Sequence, residues 1–164
     1  GGLTEGQQAQ VDYWSSFGTF LESQNARFRP PKPYPTNWIG WGIGRGGTSL
    51  LAIVNAAELL VGIDIDSRKH PTWFHKLVEE REAIDAELGF ELEWHQKPGN
   101  KFSLLRIRKQ ADTRKIGQWP GMHQWMFQQM DAIDRVFRPR VRDLDDVPLP
   151  NEDDADAFAD VSPG

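Results

Sequence analysis

From Thr4 to Asn25 the apolar positions Val11, Trp14, Phe17 and Leu21 recur at three- and four-residue steps, the spacing of one helical face. Thr4 and Gln7 stand at capping-box distance, and Asn25 tolerates the left-handed backbone that ends many helices. The pattern predicts a helix over residues 4–25. Four prolines then crowd the stretch Pro30-Pro31-Lys32-Pro33-Tyr34-Pro35, which excludes helix and central strand and predicts an extended surface connection.

The period then changes. Trp38–Ile43 runs into the turn-forming Gly44-Arg45-Gly46-Gly47, Ser49–Val54 is almost continuously apolar, and Leu59, Val61, Ile63 and Ile65 alternate at period two. These features predict three strands in an antiparallel meander, the middle one covered on both faces. Pro71 opens a second helix with the stripe Trp73, Phe74, Leu77, Ile84 and Leu88, closed by Gly89. Phe90, Leu92 and Trp94 alternate with polar residues, Pro98-Gly99 suits a tight turn, and Phe102–Arg108 returns as a strand. A third helix carries Met122, Trp125, Met126, Met130, Ile133 and Phe137, and Pro139 is expected to stop it. The predicted order is α-β-β-β-α-β-β-α. It implies an α+β fold with a mainly antiparallel, curved sheet backed by helices, similar to the secretion-chaperone-like fold. The αβββαβ core of restriction-type endonucleases is the alternative.

Charge divides the chain more sharply than its net −5 suggests. Residues 143–164 hold eight acids and neither Lys nor Arg, 57–100 hold ten acids against five bases, and 101–142 hold ten bases against three acids. A like-charged stretch with three prolines and a single Phe cannot bury enough surface to offset ordering entropy, so 143–164 is expected to be a disordered acidic tail. Residues 4–142 then form one domain. Residues 1–3 are expected to be disordered, with Gly1-Gly2 a cloning remnant or an excised boundary. No apolar run reaches the ~20 residues of a membrane span, and a cytoplasmic, membrane-free protein is expected.

Chemistry is sparse. The absence of cysteine excludes disulfides, thiol nucleophiles, iron–sulfur clusters and cysteine zinc sites. Gly42-x-Gly44-x-x-Gly47 has the spacing of a nucleotide-binding loop, but a strand follows it rather than a helix and residues 48–57 contain no Lys, so a plain hairpin turn is expected. Asp64 and Asp66 could hold a hard cation, yet no Lys has an acid two residues before it, as a restriction-type nuclease signature requires. The four histidines show no metal-ligand spacing, and no GxSxG elbow occurs. No cofactor and no catalytic residue are expected.

Cationic and aromatic residues suggest more. Arg106, Arg108 and Lys109 lie on or beside the last strand, Arg138 and Arg140 near the end of the last helix, Arg45 and Trp38 on the first hairpin, and Lys32 in the proline segment. These eight residues are the candidate set for phosphate contacts beside a stacking surface. The positive charge at the helix end has a structural reading as well, since it complements the helix dipole.

Tyr13-Trp14-x-x-Phe17, Pro30-x-Lys32-Pro33, Trp38, Ile43-Gly44-Arg45 and Asn55 together resemble a bacterial family known as domain of unknown function 4268. The resemblance continues through Trp73-Phe74-x-x-Leu77, Ala83-Ile84-x-x-Glu87-Leu88-Gly89, Leu92-x-Trp94, Trp119-Pro120, His123-x-Trp125 and Val136-Phe137-Arg138-Pro139-Arg140, spanning about residues 10–142. It implies a domain that often follows a restriction-type nuclease half in longer chains, hence a place beside nucleic acid in defence, and it supplies no catalytic residue. The expected function is an accessory module that binds nucleic acid or a nuclease-like domain, with the acidic tail competing for the same surface. A dimeric, chaperone-like protein-interaction module is the alternative, and a degenerate magnesium-dependent nuclease using Asp64 and Asp66 the second.

Overall fold

The structure, a computed structural model, describes residues 2–96, 99 and 101–147. Helix α1 (Glu5–Ser23) starts with the capping box the sequence predicts: the Gln7 N–H donates to Thr4 Oγ1 at 3.1 Å and the Thr4 N–H to Gln7 Oε1 at 2.9 Å. Asn25 follows with φ +50°, the left-handed stop. The strands are β1 (Trp38–Gly42), β2 (Thr48–Val54), β3 (Glu58–Asp66), β4 (Glu93–His95) and β5 (Phe102–Gln110), with α2 (Trp73–Val78) and α3 (Arg81–Leu88) between β3 and β4, and α4 (Trp119–Asp143) last. They form one five-stranded sheet in the order β1-β2-β3-β5-β4, with every pairing antiparallel. The fold is α+β in the predicted element order.

Register assigns the faces. Opposed residues share a side, so Leu50, Ala52 and Val54 of β2 stand beside Ile63, Val61 and Leu59 of β3, and Leu105 of β5 joins them opposite Ile63. All are buried against α4, and α1 packs on α4. The core is aromatic: Tyr13, Trp14 and Phe17 of α1 meet Trp119 and His123 of α4, with Tyr13 and Trp119 edge to face at 5.2 Å.

Three expectations change. β2 is not covered on both faces: Ser49, Leu51 and Ile53 are only half-buried, because the helices among the described residues pack on the other side of the sheet. The second helix breaks at Glu79-Glu80. The two positions that would continue its stripe after Leu77 are Glu80 and Arg81, so nothing apolar holds that turn down, and Glu80 pairs instead with Arg140 at 3.4 Å. Nor does Pro139 stop α4, which runs through it to Asp143. The proline removes one backbone donor, but beyond it Val141 is fully buried and Arg45 Nη1 bonds the carbonyls of Val141, Arg142 and Leu144 at 3.2, 3.1 and 2.9 Å. Of the predicted acidic tail, Asp143 closes α4 and Leu144–Val147 runs on without regular structure, while 148–164 lie outside the described residues. Pro98 of the predicted turn also lies outside them, and Gly99 has φ +81°.

Gly62, opposite Leu51 on one side and Arg106 on the other, marks the tightest approach in the sheet: a Cβ there would collide with the Leu105 carbonyl. Backbone cannot yield as a side-chain tip can, so Gly62→Ala is expected to cost about 3 kcal/mol in chemical denaturation. His123 is buried as well. Ser16 Oγ donates to the Tyr13 carbonyl at 3.2 Å, so the 2.6 Å contact between Ser16 Oγ and His123 Nε2 is donated by the ring, and Nδ1 is left without a partner among the described residues. Burial pushes this imidazole down to about 4 from its ordinary 6.5. The unfolded chain therefore binds the proton first as pH falls. Stability should hold above about pH 6.5 and decline toward pH 4 by ~3 kcal/mol in all, and His123→Leu should flatten that window in urea titrations.

Candidate functional site

The bare face of the sheet holds a groove of about 600 Å³ lined by Asn37, Trp38, Leu51, Ile53, Asp64, Lys101, Phe102, Leu104 and Arg106. Register explains the assembly: Trp38 stands opposite Ile53, Leu104 opposite Asp64, and Arg106 opposite Gly62. The glycines Gly40 and Gly62 flank Leu51 on this face and leave its centre low. Trp38 and Phe102, on the first and fourth strands of the sheet order, are 53% and 41% exposed, unusual for large aromatics. Leu60 shares the face but is buried, beside Arg108.

Two cations, Lys101 and Arg106, and one carboxylate, Asp64, line the groove. Arg106 has no hydrogen bond or ion pair among the described residues, and burial together with the neighbouring Arg108 charge lowers its guanidinium from the usual range. Burial raises the Asp64 carboxyl, against the opposing pull of backbone hydrogen bonds and Arg106. The lining thus offers both donors and acceptors, together with two aromatic rings.

The remaining predicted site residues do not converge on this groove. Arg108 is held between Glu93 (2.7 Å) and Glu58 (3.0 Å), and it drives the Glu93 carboxyl down to about 2. Arg138 pairs with the buried Asp134 at 2.9 Å, which also receives Arg27 at 2.8 Å. Arg140 is tied to Glu80 and Glu87 and donates to the Val136 carbonyl. Arg45 lies over the Trp73 ring at 4.8 Å while capping α4. Lys109 stands exposed opposite Leu59, and Lys32 is exposed in the proline segment. Of the eight, Trp38 and Arg106 share the groove.

Asp64 and Asp66 do not act together. The Asp66 carboxylate is taken by the Arg68 guanidinium at 3.2 Å and by the Arg68 N–H at 3.0 Å, and these contacts lower its pKa. Among the described residues no group of three or more His, Asp or Glu is placed to hold a metal. Gly44-Arg45-Gly46-Gly47 turns β1 into β2, as the plain hairpin reading expects. No helix among the described residues is long and apolar enough to cross a membrane.

Leu51, Ile53, Phe102 and Leu104 were not anticipated as site residues, and Asp64 was named only as a cation ligand beside Asp66. Their signal was present in Ser49–Val54, a continuous apolar run whose second face has no helix left to cover it. A family model described as domain of unknown function (DUF4268) matches residues 9–141. No curated protein and no solved structure matches the chain significantly.

Because the half-buried Asp64 carboxyl is raised, the folded state takes up its proton at higher pH than the unfolded chain. Ionised Asp64 therefore costs stability at neutral pH. Asp64→Asn should raise the denaturation midpoint at pH 7, and the gain should shrink as the pH is lowered and the wild-type carboxyl becomes neutral.

Proposed function

We propose that this chain, which belongs to the DUF4268 family, is a binding module that lays single-stranded nucleic acid across the bare face of its sheet. The observation that carries the reading is the convergence of exposed Trp38 and Phe102 in one groove with Arg106, which has no partner among the described residues. Antiparallel sheets that recognise unpaired bases work through such parts: aromatic rings stack the bases, and polar side chains meet base edges and phosphates. Trp38 and Phe102 serve as platforms, Arg106 and Lys101 meet the backbone or a base acceptor, and Asp64 accepts from an exocyclic amine. Arg108, Arg138 and Arg140 contribute through stability, since each already has carboxylate partners.

The apolar floor of Leu51, Ile53 and Leu104 favours a second reading, in which a nuclease-like domain or a second copy of the chain docks on the same face. Fluorescence titration with a roughly twelve-base single strand separates them. The first reading expects tryptophan quenching, about tenfold weaker binding for Trp38→Ala and for Phe102→Ala, and a similar loss for Arg106→Ala. The salt slope should be shallow, about one to two phosphates, because few free cations line the groove. Arg138→Ala should lower stability, by stranding part of Asp134, while leaving affinity unchanged. No quenching at low salt would overturn the nucleic-acid reading, and a dimer mass abolished by Trp38→Ala would establish the second.

A further inference from the structure

At the end of α4, far along the chain from the residues of the sheet groove, Leu144-Asp145-Asp146-Val147 lies across a surface made by Arg45, His70, Trp73 and Lys76. The main chain is read first: Arg45 donates to the Leu144 carbonyl at 2.9 Å, and the Asp145 carbonyl accepts from Trp73 Nε1 at 2.9 Å and Lys76 Nζ at 2.7 Å. The carboxylates are read next, Asp145 Oδ1 by Lys76 at 2.7 Å and Asp146 Oδ1 by His70 Nδ1 at 2.9 Å.

The two sides of this contact are unequal. Trp73 and His70 are buried and stacked on each other at 3.4 Å, and His70 Nε2 is fixed by the Gly46 carbonyl at 2.8 Å. The two ring nitrogens of His70 thus bridge the Gly46 carbonyl and the Asp146 carboxylate. The Lys76 side chain is only 14% exposed. The acidic segment is the outer partner: the Asp145 and Asp146 side chains are 68% and 57% exposed, and Val147 is exposed. A donor-rich surface thus holds a strip that contributes acceptors, with Leu144 half-buried against the core and the Asp145 carboxylate also accepting from the Val147 N–H at 3.1 Å.

From this asymmetry we infer that Arg45, His70, Trp73 and Lys76 form a recognition site for an Asp-Asp peptide, which the chain's own residues 144–147 occupy in cis. Three donors read backbone carbonyls whatever the side chains, and Lys76 and His70 select the two carboxylates. Beyond Leu144, which packs against the core, the strip is held by polar contacts, so Asp145–Val147 can exchange for a like segment of another protein. Tethering sets its effective concentration high, and a free peptide must compete with it. This inference stands apart from the nucleic-acid reading, because it uses a different surface and none of the groove residues.

The test uses the full chain and a fluorescein-labelled peptide copying residues 142–149. In Asp145→Lys/Asp146→Lys the strip is released, and the labelled peptide should bind at least tenfold more tightly than to the unaltered chain. Adding Trp73→Phe to that variant should abolish the gain, and a peptide with Asn-Asn in place of Asp-Asp should bind at least fivefold more weakly. Should the lysine variant fail to fold, judged by its thermal transition, Asp145→Asn/Asp146→Asn is read by the same criteria. A folded, released variant that binds no better than the unaltered chain, or binds both peptides alike, overturns the inference.

Discussion

A sheet has two faces, and here the helices cover only one. Trp14 and Phe17 of α1 and Met126, Met130 and Phe137 of α4 are all buried, and they commit both long helices to the side of β2 and β3 that carries Leu50, Ala52, Val61 and Ile63. Two packed layers suffice to close such a core. The cost is borne by the other face, where Leu51, Ile53, Phe102 and Leu104 stay partly wet. Two devices limit that exposure. Glycines at 40, 42 and 62 reduce the side-chain bulk on the face, and the Glu58–Arg108–Glu93 bridge lies along it beside buried Leu60. What remains open is the aromatic-flanked groove. The candidate site is therefore a direct consequence of the way the core is closed.

A second dependency runs through Arg45. Its hairpin needs Gly44 at φ +103° and Gly47 at φ +87°, and a Cβ on Gly47 would come within 2.8 Å of the His70 ring. The glycines thus serve to seat the turn on His70 and Trp73 rather than to cradle phosphate. Once seated, the Arg45 guanidinium reaches the last carbonyls of α4, the end of a helix where positive charge is favourable. Those bonds help the helix persist past Pro139, and they deliver Leu144–Val147 to the Trp73 surface. One residue in a turn couples the sheet edge, α2 and the C-terminal strip.

Element type and order were legible because periodicity here is strong: the α1 stripe from Trp14 to Leu21, the β3 alternation and most of the α4 stripe reach the core as read, while Val11 stays outside it and Trp125 is partly buried. The capping box and the Asn25 stop were legible to the residue, since both depend on local geometry alone. The failures were tertiary. Continuous apolarity in Ser49–Val54 cannot distinguish a doubly covered strand from one whose second face awaits a ligand. The break at Glu79-Glu80 depends on Arg140 arriving from sixty residues away. The persistence of α4 beyond Pro139 depends on Arg45. Of the eight candidate site residues, Trp38 and Arg106 met because register places β1 and β5 on one sheet face, and residue type alone carries no register.

Charge gives the deepest reason for that partial success. Along the sequence, the acidic stretch 57–100 precedes the basic stretch 101–142, which suggests two surfaces of opposite sign. In the fold the two segments are partners. Glu58 and Glu93 clasp Arg108, and Glu80 and Glu87 clasp Arg140, so much of the separated charge is spent on long-range pairing. Net charge of a segment then says little about its surface potential. The informative cation is Arg106, half-buried, with its guanidinium disfavoured by its surroundings and no carboxylate in contact among the described residues. Such a group gains more from an incoming anion than a solvated arginine does, because part of its hydration is already lost and the local dielectric is lower.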